Sequence, residues 1–207
     1  MTFQAASGPC GCAACSPPPG QGLARRAVLG GLILAGTALG AAPSTARAAG
    51  SSPYKAMLLS CVDPRTQAPI AAWMGKAEPQ SHTIGLTGLY SQFTIAGAAV
   101  GVVAPAFPKA WSETFWDNFG ATIELHQIEN LVAVDHANCG ALGIAYGREI
   151  LDDPKRELAQ HIKDVTELKH ELALRHPKVH FQAWYVARDA SGQFTVWKNL
   201  IAGPPIG

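Results

Sequence analysis

The chain has 207 residues, 48% of them hydrophobic and 15% charged, a balance that suits a folded globular protein of one or at most two domains. Its formal net charge is +1 and its basic residues are scattered, which excludes the concentrated positive surface of a nucleic-acid binder.

The amino-terminal stretch reads apart from the rest. Arg25-Arg26 precedes the apolar run Ala27 to Ala35, and a small-residue segment ends in Ala46-Arg47-Ala48, an A-x-A cleavage pattern. Together these describe an export signal over residues 1–48. The paired arginines and the Gly/Ala-diluted apolar segment make it look like the twin-arginine type, so cleavage and export, to the periplasm, are expected. A membrane anchor is the alternative, but Ala27 to Ala42 contains glycines and falls short of the roughly 20 apolar residues a span needs. Of the 16 basic residues, three arginines lie in 1–48, which has no acids; the remaining 13 stand against 15 acids, a net charge of −2. Cys10, Cys12 and Cys15 lie upstream of the arginine pair and leave with the signal, so only Cys61 and Cys139 remain.

Residues 49–207 read as one α/β domain. Ala56 to Ser60 is a short apolar run ending at Cys61, as a buried parallel strand would be. Val62 to Gln67 contains Pro64 and is expected to be a loop, and residues 75–90 show no clear periodicity. Tyr90 to Ala96 reads as a strand, followed by the glycine-broken segment 96–101. A helix is expected from Lys109 to Ile128, with Trp111, Phe115, Phe119, Ile123 and Leu125 near one face as core rather than as a cofactor box. Leu131 to Val134 is the next strand, and Gly140 to Tyr146 starts a helix after it. Leu158, Ile162, Val165, Leu168 and Leu172 mark a long amphipathic helix, on which His161, His170 and His176 read as solvated surface histidines. Val179 to Val186 is a strand, Asp189 to Gly192 a turn, and Phe194 to Trp197 closes a hairpin. Strands alternating with helices imply a mostly parallel sheet covered on both faces.

In such sheets ligands bind at the carboxyl ends of strands. Cys61 and His136 each close a strand, and Cys139 follows His136 by three. Two thiolates and an imidazole leave a fourth position open, which fits a catalytic metal site better than a closed structural one. Two buried cysteines with a core histidine, or a disulfide in an oxidising compartment, remain the plainer alternatives. The neighbours of Cys61 read C-V-D-P-R, which allows Arg65 to pair with Asp63 and keep it ionised and oriented. A loop ion pair without chemistry is the alternative for those two.

C-x-D-x-R followed by H-x2-C-G resembles the signature of the β-class carbonic anhydrases, over the span Tyr54 to Trp197. The resemblance implies zinc held by Cys61, His136 and Cys139, and an Asp63–Arg65 dyad that orders a metal-bound hydroxide or lets Asp63 take the fourth position at rest. It further implies reversible hydration of CO2 to bicarbonate, a carbonate dehydratase lyase, and a homodimer or higher homo-oligomer. Two thiolates donate more charge than imidazoles would, so better activity at alkaline pH is expected. His82 or His126 is a candidate proton shuttle. The chain departs from the family in three places. Pro64 stands where serine is usual, the turn 95–98 lacks an arginine and an asparagine, and the Cys61–His136 spacing is long, which points to an insertion within 68–90. Hydrolysis of a related electrophile, carbonyl sulfide or carbon disulfide, and an inactive zinc-binding relative are the competing functions.

Overall fold

A strand covered on both sides of a sheet must bury every side chain, whereas a strand at the sheet edge need bury only half. The computed structural model describes residues 53–78 and 83–206. Its elements in chain order are β1 (Ala56–Cys61), α1 (Pro64–Met74), β2 (Ala77–Glu78), β3 (Thr83–Ile84), β4 (Tyr90–Ile95), α2 (Ala99–Val103), α3 (Lys109–His126), β5 (Asn130–His136), α4 (Gly140–Tyr146), a 3-10 turn (Arg148–Asp152), α5 (Pro154–Arg175), β6 (His180–Arg188) and β7 (Phe194–Ile201). The export-signal segment, with Cys10, Cys12 and Cys15, lies outside the described residues, as does His82.

Every residue of β1 and β5 is buried, and these two strands occupy the middle of a five-stranded sheet ordered β4-β1-β5-β6-β7. All pairings are parallel except β6 with β7, which form the C-terminal hairpin. The fold is therefore a mostly parallel sheet flanked by helices, as the alternation of strands and helices implies. Side chains alternate along each strand, so the sheet has two cores. Leu58, Val132 and Val134 pack with Ile70, Trp73 and Met74 of α1. Met57, Leu59, Leu131 and Ala133 pack on the other face with Val100 of α2, Phe115 and Phe119 of α3, and Val165 and Leu168 of α5. Continued by one step, this alternation sends Asp135 toward α5 and His136 toward α1.

Three expectations are corrected. Val62 to Gln67 is not a loop throughout, because α1 begins at Pro64. Asp63 caps that helix, its side chain accepting from the Arg65 amide, and proline at the first helical position has no amide to leave unpaired. On α3 the buried residues are Phe115, Trp116 and Phe119, while Leu125 is 77% exposed. Ten residues past Phe115, at about 100° each, leave Leu125 roughly 80° off the apolar stripe. His161 is not a surface histidine: it is completely buried, on a stripe of Glu157, His161, Asp164, Leu168 and Leu172. That stripe is polar in its first half, so the apolar Leu158 and Ile162 suggest a face turned by one residue from the true one.

Segment 75–90, without periodicity in sequence, carries the small antiparallel ribbon of β2 and β3. Among the described residues no helix is long and apolar enough to cross a membrane.

Candidate metal centre

The carboxyl ends of β1 and β5 lie side by side, so Cys61 and His136 end adjacent strands, and the loop to α4 returns Cys139 to the same place. The two sulphurs and a ring nitrogen of His136 all lie within 4.8 Å of one another, in a wholly buried group. Both cysteines are free, so the disulfide alternative is not realised. A tetrahedral ion about 2.3 Å from sulphur and 2.0–2.1 Å from nitrogen needs its ligands roughly 3.5–3.8 Å apart. The set can therefore close on an ion with small shifts.

His136 makes the strongest case that an ion fits. Its Nδ1 lies 3.0 Å from the Ala137 carbonyl, which only accepts, so Nδ1 carries the hydrogen. In the neutral ring Nε2 then carries the lone pair, and it is buried without a hydrogen-bond partner. A polar atom in that state costs about 1–3 kcal/mol unless something binds it. The sulphurs, unlike Nε2, have partners. The Cys139 thiol beside it, helped by His136 and the Gly97 amide against the opposition of burial, lowers the pKa of Cys61. Cys139 is pushed up by its hydrogen bond to Cys61 and by burial. The two buried sulphurs thus shift in opposite directions, each through the other. Burial opposes protonation of His136, but the adjacent Cys61 sulphur outweighs it and raises the pKa. Cys61, His136 and Cys139 can together bind a metal ion.

Asp63 and Arg65 stand over this group. Arg65 Nε donates to both carboxylate oxygens, at 2.9 and 3.1 Å, and Nη2 also donates to Oδ2. The guanidinium beside it brings the Asp63 carboxyl down to about 2, and the carboxylate in turn raises Arg65. Asp63 Oδ2 lies 3.9 Å from His136 Nε2, close to the spacing between two ligands of one tetrahedral ion. Arg65 does a second job that spacing in sequence did not suggest. Its Nη2 donates to the Asn138 carbonyl at 3.1 Å and Nη1 to Asn138 Oδ1 at 3.4 Å, tying the β1–α1 turn to the loop that carries Cys139. Asn138 has φ 56, a left-handed conformation that asparagine tolerates better than most residues.

Several further residues were missed by sequence reasoning. Gly97 donates its amide to Cys61 Sγ at 3.2 Å, and Glu157 Oε1 accepts from the Cys139 amide at 3.1 Å. Phe194, the first residue of β7, sets its ring edge-on to His136 at 5.9 Å and lies under the Arg65 guanidinium at 5.6 Å. The only available signal was that Gly97 sits in the segment already noted for its broken pattern. His126 is removed from the site. Its Nδ1 lies 2.7 Å from Ser91 Oγ, near the amino-terminal end of β4, whereas Cys61 lies at the carboxyl end of β1.

No family model matches the chain. It is 24% identical over 133 residues to an uncharacterized protein of Rickettsia conorii, covering 64% of this chain and 67% of that one. An uncharacterized protein of Rickettsia bellii is 21% identical over 133 residues, covering 64% and 76%. Among solved structures, a tetrameric β-carbonic anhydrase of Sordaria macrospora matches 73% of this chain and 83% of its own, with a TM-score of 0.46 and 11% identity. The β-carbonic anhydrase CafD of Aspergillus fumigatus matches 75% and 92%, with a TM-score of 0.43 and 14% identity.

Proposed function

We propose that the chain is a zinc enzyme that reversibly hydrates CO2 to bicarbonate. The observation that carries this is the joining of a Cys2His donor set to an ion-paired carboxylate, with Asp63 Oδ2 only 3.9 Å from the bare nitrogen of His136. In this reading Cys61, His136 and Cys139 hold the ion and leave its fourth position on the Asp63 side. Zinc, when bound, acts as a Lewis acid that lowers the pKa of water toward about 7.

The protein's own groups do the positioning. Asp63, held ionised by Arg65, can only accept a hydrogen bond. It therefore fixes the hydrogen of an attacking water and turns the oxygen lone pair toward the carbon of CO2. Arg65 keeps Oδ2 from rotating away, and through Asn138 it holds that oxygen in register with the loop bearing Cys139. The Phe194 ring gives an apolar wall beside His136, suited to a small uncharged substrate.

In the same reading residues 1–48 direct export to the periplasm, supported by Arg25-Arg26, the apolar segment and the A-x-A site. The resemblance of the Cys61–Arg65 and His136–Gly140 motifs to the β-class carbonic anhydrases also supports assembly as a homo-oligomer.

Residues 49–207, loaded with zinc, are to be assayed for CO2 hydration by stopped flow. Turnover that vanishes in Cys139→Ser along with the metal supports the reading. A chain that is fully loaded yet inert toward CO2 overturns it, and hydrolysis of carbonyl sulfide or carbon disulfide by that same sample identifies the alternative electrophile.

A further inference from the structure

We propose that Asp135 and His161 form a buried strut that holds the Gly97 amide on the Cys61 sulphur, which makes His161 a positioning residue of the metal centre. The inference rests on the metal-binding reading above. Asp135 and His161 are both fully buried at the side chain, with His161 Nδ1 2.8 Å from Asp135 Oδ2. A carboxylate only accepts, so Nδ1 is the donor. His161 Nε2 is buried without a partner, so the bond to Asp135 is where the ring's polarity is used. Removing such a pair from water is costly, and an apolar pair of similar volume often serves stability equally well. Its placement indicates a different role.

The other carboxylate oxygen, Asp135 Oδ1, accepts from the Ala99 amide at 3.2 Å. Two residues earlier, the Gly97 amide donates to Cys61 Sγ. Between them Ala98 has φ 49 and ψ −113, outside the regions an L-residue ordinarily takes. Such a residue persists only where its surroundings over-determine it. Gly97 has φ +86, and a Cβ there would meet Ala141 and Val100 at 3.0 Å. The turn is thus clamped by a sulphur at one end and by a carboxylate at the other, with α5 behind the carboxylate. One helical turn before His161, Glu157 holds the Cys139 amide. The polar half of the α5 stripe therefore supports both sulphur-bearing segments. An N–H bond to a thiolate draws charge from the sulphur, so the position of the Gly97 amide sets how strongly Cys61 donates to an ion.

The test uses His161→Leu, which removes the donor, His161→Asn, which keeps one near the place of Nδ1, and His161→Gln, which moves it toward the place of Nε2. Amide hydrogen exchange is read in the metal-free chain, and the sulphur-to-metal charge-transfer band is read after loading with cobalt. In His161→Leu, exchange at Gly97 and Ala99 should accelerate at least about tenfold, as expected for loss of a hydrogen bond to a charged group. Exchange at Val132 and Leu168 should stay unchanged, and the cobalt band should move to longer wavelength. His161→Asn should restore protection and band position, and His161→Gln should not. Should His161→Leu fail to fold, the contrast between Asn and Gln decides alone. Unmoved exchange and an unmoved band, or equal behaviour of Asn and Gln, overturn the strut while leaving the metal reading intact. Failure of the unaltered chain to take up cobalt overturns the metal reading and the positioning role with it, even if the turn is protected.

Discussion

Replacing Asp63 with asparagine separates the charge of this side chain from its place at the start of α1. Asp63 Oδ1 accepts from the Arg65 amide at 2.9 Å, and asparagine caps helices about as well as aspartate, so α1 should persist. The loss falls on Oδ2, where an amide nitrogen would now face the Arg65 Nη2 donor. A hydrogen bond to a charged group contributes about 1.5–3 kcal/mol, and solvent around the 40% exposed Arg65 side chain reduces this to about 1 kcal/mol. For a domain of this size that corresponds to a Tm lower by roughly 2–4 °C. Turnover should suffer more. Without an acceptor-only group the attacking water is no longer oriented, and CO2 hydration should fall at least about tenfold, some 1.4 kcal/mol of barrier. Zinc content should stay near one per chain, because Asp63 is not among the three residues proposed to hold the ion. Stopped-flow hydration, metal analysis and calorimetry on one preparation read all three quantities. Full zinc with unchanged turnover would refute the role given to the carboxylate.

The Asp189 carboxyl, in the β6–β7 turn, is held down to about 2 by the Ser191 and Thr195 hydroxyls and the Gln193 amide. A depressed carboxyl stabilises the fold above the ordinary range, and that contribution is lost as pH falls toward about 2; an NMR titration with its midpoint near the ordinary value of about 3.9 would contradict this. Phe119 is fully buried against Phe115, and Phe119→Ala should destabilise by about 3–5 kcal/mol in urea unfolding, with less than about 1 kcal/mol showing that the α3 face is loosely packed. Changing Arg25 and Arg26 together to lysine should leave uncleaved precursor in the cytoplasm, detected by fractionation, whereas normal export would point to the general secretory route.

The parts of the structure legible in sequence are those fixed by short-range pattern. β1 and β5 each contain a run of four apolar residues, Ala56–Leu59 and Leu131–Val134, α4 begins at a glycine directly after Cys139, and the hairpin turn at Asp189–Gly192 has the residues that turns need. Cys61, His136 and Cys139 were found because a strand end is where such residues stand out. α1 was missed because Pro64 reads as a breaker unless Asp63 before it is recognised as a cap. The side-chain hydrogen bonds between distant segments were not legible. Arg65 and Asn138 are 73 positions apart, and nothing in either neighbourhood announces their hydrogen bonds. The buried Asp135–His161 pair was hidden for a further reason. A histidine among lysines and glutamates on an amphipathic helix looks solvated, and only the sheet alternation that turns Asp135 toward α5 brings the two together.

The claim that Cys61, His136 and Cys139 hold a zinc ion with one open position is tested most directly by X-ray absorption at the zinc edge of the loaded chain. The account predicts two sulphurs at about 2.3 Å, one imidazole nitrogen at about 2.0–2.1 Å and a single lighter fourth ligand, with one sulphur lost in Cys139→Ser if any metal is retained. A zinc shell without sulphur, a closed shell of four protein ligands, or a chain that takes up no zinc would contradict it.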